Sequence, residues 1–104
     1  MSVVVVLSTF PSSEKAAEIA RVLVDERLAA CVNLVPAVRS IYRWQGAIHD
    51  DVEVLAIMKT TAERAAALRD RLIALHPYDV PEAIVLPVTD GPAPYLAWLT
   101  GEVS

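Results

Sequence analysis

Seven consecutive residues, His76-Pro77-Tyr78-Asp79-Val80-Pro81-Glu82, gather an imidazole, a phenol and two carboxylates around two prolines. Pro77 ends whatever helix precedes it, because the residue before a proline is pushed out of the α region. Pro81 hands the chain on, already extended, to Ala83-Ile84-Val85-Leu86. A rigid connector that holds polar groups near a sheet edge is well placed to carry function. Its structural alternative is a stiff joint and nothing more.

His76 is the leading metal-ligand candidate, since the prolines fix its surroundings; a histidine that caps a helix C-terminus is the structural alternative. His49-Asp50-Asp51 has the donors for a divalent cation at a hairpin tip, where a solvated turn is the ordinary reading. Cys31, opening a strand, reads as a small buried hydrophobe. A second constellation is Lys59, Tyr78 and Glu82 with Tyr42 and Trp44, which together suit a pocket for a small anion. Lys59 ends the strand before the second helix and Glu82 opens the strand after it, so a pocket holding both has to be completed by another subunit. The alternative is interface aromatics and a Lys59–Glu82 ion pair. No serine lies in a nucleophile elbow. The 3 glycines are isolated, so no loop cradles phosphate. The expectation is a protein that is not an enzyme, with no catalytic residues and no required cofactor.

A length of 104 residues gives one domain, residues 1–104. The net charge of −4 and the scattering of the 9 lysines and arginines speak against nucleic acid and membrane surfaces as partners. The first apolar run, Val3 to Leu7, is too short for a signal peptide or a membrane span, and a single cysteine leaves no disulfide, so a cytoplasmic protein is expected. Apolar residues make up 55% of the chain, against roughly 45–50% in ordinary soluble domains. A small domain cannot bury that surplus alone, which predicts burial between identical subunits.

These residues sit on a simple alternation. Ser2 to Ser8 is β-branched and apolar on both faces, hence a buried strand. Thr9-Phe10-Pro11 turns the chain, and Ser12 or Ser13 caps a helix over about Glu14 to Arg27, with Ala16, Ile19, Ala20, Leu23 and Val24 on its apolar face. Cys31 to Trp44 and Ile48 to Lys59 form a hairpin about Gln45-Gly46. Thr60-Thr61-Ala62-Glu63 reads as a capping box with Thr60 as cap, and the helix it opens stops at His76-Pro77. Glu82 to Thr89 is a strand, and Tyr95, Trp98 and Leu99 mark a short C-terminal helix. The order β-α-β-β-α-β is that of an α+β, ferredoxin-like domain. Pro36 and Pro87 support it, since proline belongs on edge strands and the second and fourth strands are the edges of that fold. At ~3.4 Å per residue, the second strand reaches roughly 45 Å, beyond a globule of this size, so an extended hairpin should project.

Five blocks, Ala30-Cys31-Val32-Asn33, Ser40 to Gly46, Lys59-Thr60, His76 to Glu82 and Tyr95-Leu96-Ala97-Trp98-Leu99, resemble the CutA family of divalent-cation tolerance proteins. The likeness covers nearly the whole chain. It implies a ferredoxin-like protomer in a homotrimer built through the long hairpin, similar to the PII signalling proteins, with a role in copper tolerance. Where family members have a proposed copper site, the matching positions here are Ser8, Leu75 and His76, which leaves His76 as the implied ligand for Cu2+ or another divalent cation. The alternative function is a PII-like signalling module that takes a small anionic metabolite in clefts between subunits, at Lys59 and its polar neighbours.

Overall fold

The computed structural model describes residues 2–103. The β-branched run Val3–Phe10 forms strand β1. Helix α1, Ser13–Asp25, starts where the Ser12 hydroxyl accepts the Lys15 N–H at 3.1 Å. Strands β2, Cys31–Trp44, and β3, Ala47–Thr61, follow, then helix α2, Ala62–Leu75. The chain closes with β4, Ile84–Pro87, and helix α3, Ala93–Glu102. The sheet is antiparallel throughout in the order β2-β3-β1-β4, the ferredoxin-like arrangement with both proline-bearing strands at its edges.

Alternation divides the sheet into two unlike faces. Val6 and Phe10 of β1, with Val54, Ala56 and Met58 of β3, point to one face and are buried under Leu23 of α1 and Leu68 and Leu72 of α2. Val5, Leu7, Leu55 and Ile57 point to the other face and are only half-buried. Helix α3 covers part of that face, with Leu99 buried.

Three local expectations are corrected. β1 runs on through Thr9 and Phe10, because these residues continue the ladder opposite Leu55 and Val54. Thr60 and Thr61 pair with Val4 and Val3, so the cap position of α2 falls on Thr61, and no side-chain cap bond forms. The Thr60 hydroxyl instead donates to the buried Leu28 carbonyl at 2.7 Å, and that bond takes the place of the capping box. β4 is shorter than Glu82 to Thr89, since only Ile84–Pro87 finds partners along β1.

The hairpin projects as expected, and the molecule measures 44 × 25 × 22 Å. Its two-residue turn has positive φ at Gln45 (49°) and Gly46 (78°), the primed geometry that matches strand twist. Midway along β2 the register slips. Val35 pairs with Leu55, but the next pair is Val38 with Glu53, so β2 spends one residue more than β3. Pro36 and Ala37 occupy this bulge, with Ala37 at φ 59°. One extra residue reverses which side chains face which side. Val32 and Leu34, before the bulge, pack on the helix-covered core. Ser40, Tyr42 and Trp44, beyond it, face the other way.

A left-handed conformation costs an ordinary L-residue roughly 1–2 kcal/mol, and a β-branched one more. Ala37 already bears that cost, so Ala37→Val should lower stability by the further strain of a β-branched side chain, while Ala37→Gly, which relieves it, should not. Urea denaturation at one fixed protein concentration distinguishes the two variants.

Candidate functional site

The connector after α2 folds back across the end of the sheet and is held there by His76. The imidazole is 8% exposed and stacks on Phe10 with ring centroids 4.6 Å apart. Its Nε2 lies 2.8 Å from the Thr9 carbonyl oxygen, and its Nδ1 accepts the Tyr78 N–H at 3.1 Å. A carbonyl only accepts and an amide N–H only donates, so the ring is neutral and carries its proton on Nε2. Burial lowers the pKa of His76, opposed by the Thr9 bond and by the charge of Glu53.

Once Tyr78 is placed, its phenol donates to Glu53 Oε2 at 2.6 Å. Burial first, and then this bond to a carboxylate, raise the Tyr78 pKa far above the usual phenol value. Across the hairpin, the Tyr42 phenol donates to Asp51 Oδ2 at 2.6 Å and its ring stacks on His49 at 5.2 Å. The resulting groove, of about 540 Å³, is lined by Thr9, Ser40, Tyr42, Trp44, Glu53 and Glu82 together with the 77–80 segment. Trp44 and Tyr42 remain 45% and 41% exposed. Glu82 has its pKa raised by burial and then by repulsion from Glu53.

Of the residues expected to share a pocket, Tyr42, Trp44, Tyr78 and Glu82 meet in this groove. Lys59 does not. It lies near the C-terminal end of β3, at the opposite end of the sheet, where its Nζ is 3.2 Å from the Tyr95 hydroxyl and 5.6 Å from that ring's centroid. The ion pair between Lys59 and Glu82 is therefore replaced by a Lys59–Tyr95 contact. Asp50 at the hairpin tip is taken by Arg39, through two bonds of 2.8 and 2.6 Å, while Asp51 holds Tyr42. Cys31 is partly exposed rather than fully buried. Glu53 is the residue that sequence reasoning missed. The available signal is a carboxylate set between Val52 and Val54, inside the apolar run that leads on to Met58.

A resident metal ion does not fit the residues of one chain. Both His76 nitrogens are engaged, and no group of three or more His, Cys, Asp or Glu side chains able to hold a metal occurs among the described residues. Of the other two positions that the copper-site pattern assigns, Leu75 has no ligand atom and Ser8 is fully buried with its hydroxyl unpartnered. No described helix is long and apolar enough to cross a membrane.

The family model for the CutA1 divalent ion tolerance protein matches residues 4–102. A divalent-cation tolerance protein CutA from Thermus thermophilus is 55% identical over 95 residues, which cover 91% of this chain and 92% of that one. Human Protein CutA is 50% identical over 91 residues, covering 88% of this chain, and the match spans 51% of the human protein's length. The crystal structure of CutA from Xylella fastidiosa superposes with a TM-score of 0.96 at 45% identity and covers 100% of both chains.

The site's ionisable groups act on stability in opposite senses. The native state disfavours the charged form of His76. Its contribution is therefore complete above the unfolded pKa of about 6.5 and is lost as pH falls through the lower folded value. Glu82 has a raised folded pKa, so above that value its charge costs stability, and protonation relieves the cost. Glu82→Gln should raise the melting temperature near pH 7.5, with a gain that shrinks toward pH ~4.5. Differential scanning calorimetry across that range tests this, and an unchanged or lowered melting temperature at pH 7.5 contradicts it.

Proposed function

This chain belongs to the CutA1 divalent ion tolerance family, and we propose that it serves tolerance of divalent cations as a cytoplasmic homotrimer without catalytic chemistry of its own. The observation that carries the assembly is the apolar surface left over by a one-sided fold. Ile41, Ile48 and Val52 of the projecting hairpin are each more than 60% exposed, and Ile84, Val85 and Leu86 line an open sheet edge. Edge strands and apolar arms of this kind are stable only when another chain covers them. Three is the number of copies that the family resemblance implies.

Copper(II) is the cation to which the resemblance points, with His76 as its ligand. Nδ1 is free for a metal only when the Tyr78 N–H lets go, and Nε2 only when its proton and the Thr9 bond are both lost. Binding at His76 is accordingly weak. The anion reading is less well supported, because Lys59 lies away from the groove and the groove wall carries carboxylates instead.

Size-exclusion chromatography with light scattering at micromolar concentration should give the mass of three chains; a monomer overturns the assembly. Calorimetric titration with copper(II) should give a weak isotherm that His76→Ala flattens further. Indistinguishable isotherms for the two proteins remove His76 as the ligand.

A further inference from the structure

The groove between the hairpin and the 76–82 connector has a composition that neither a metal ion nor an anion explains. Its volume of about 540 Å³ lies within the roughly 300–1,000 Å³ of small-molecule clefts. Its charged lining residues, Glu53, Asp79 and Glu82, are all acidic, and none of the described lysines or arginines of the same chain lines it. Glu53 gives one oxygen to the Tyr78 hydroxyl and keeps the other, while Glu82 has no hydrogen-bond partner among the described residues. Two carboxylates that repel one another in a half-buried cleft are stabilised by a positive charge between them. Small hard cations require more oxygen ligands in closer order than this cleft provides. The remaining walls are the rings of Tyr42, Trp44 and Tyr78, whose faces attract large, weakly hydrated cations.

We propose that this groove binds a small organic cation, a guanidinium or alkylammonium compound, with its charge on Glu53 and Glu82 and its apolar part against Trp44 and Tyr42. The site is separate from His76 as a copper ligand, since His76 contributes only the bond that positions the Tyr78 backbone. A guanidinium suits it best. Its planar fork pairs with carboxylate oxygens and its face stacks on an indole ring.

Butylguanidinium and butylurea have nearly the same shape and differ in charge, which makes them a discriminating pair of probes. The assembled wild-type protein, titrated with each and followed by calorimetry and tryptophan fluorescence, should bind butylguanidinium at least about tenfold more tightly than butylurea. Glu53→Gln keeps an acceptor for Tyr78 but removes the charge, and Glu82→Gln removes the second charge. Each should weaken butylguanidinium by about tenfold while leaving the circular dichroism and the assembled mass unchanged. Trp44→Leu should weaken it less and abolish the fluorescence response. Equal affinity for the two probes, the absence of saturable butylguanidinium binding, or affinity unaltered in both glutamate variants overturns the proposal. Competition of butylguanidinium by copper(II) that is lost in Glu53→Gln also overturns it, by making the groove a metal site. A copper(II) titration that fails at His76 bears on the tolerance mechanism alone and leaves this one standing.

Discussion

One additional residue in β2 decides what the groove contains. Before the bulge at Pro36-Ala37, the even-numbered side chains of β2 point into the core beneath the helices. After it, Ser40, Tyr42 and Trp44 point to the opposite face, where Glu53 stands on the neighbouring strand. With regular pairing in place of the bulge, the two aromatics would lie on the helix side, away from Glu53. The bulge is tolerated because β2 is an edge strand, so Pro36 needs no partner on its outer side. The cost is the left-handed backbone at Ala37.

His76 fixes the opposite wall. Its ring joins the end of β1, through the Thr9 carbonyl, to the connector, through the Tyr78 amide, and Phe10 supports it from below. Because one bond requires a donor nitrogen and the other an acceptor, only one neutral tautomer satisfies both. The imidazole thus positions Tyr78, and Tyr78 in turn reaches Glu53. A residue that looks like a ligand by its type acts here as a clamp by its hydrogen bonds.

The third constraint is coverage. Two long helices lie over one face of four strands, and α3 shields only part of the other. What they leave, with the apolar hairpin and the short β4, is an exposed apolar surface and an open sheet edge.

Sequence by itself determined the architecture. Apolar runs of period two, helical faces around Leu23 and Leu72, the Gln45-Gly46 turn and the prolines of the two edge strands are local signals, and each corresponds to one physical preference. The length of the hairpin followed from residue count alone. The boundary at Thr60–Thr61 departs from the local capping signal because pairing with β1 outweighs a cap. The site depended on relations that no local pattern contains. Glu53 and Tyr78 are 25 residues apart in the chain and meet only through the register of β3 and the fold of the connector. Lys59 belongs with them by type, yet its position along β3 places it at the other end of the sheet. Whether His76 could offer a lone pair was likewise settled by the Thr9 carbonyl, 67 residues away. Residue types supplied the chemistry; strand register and tertiary hydrogen bonds decided which groups could act together.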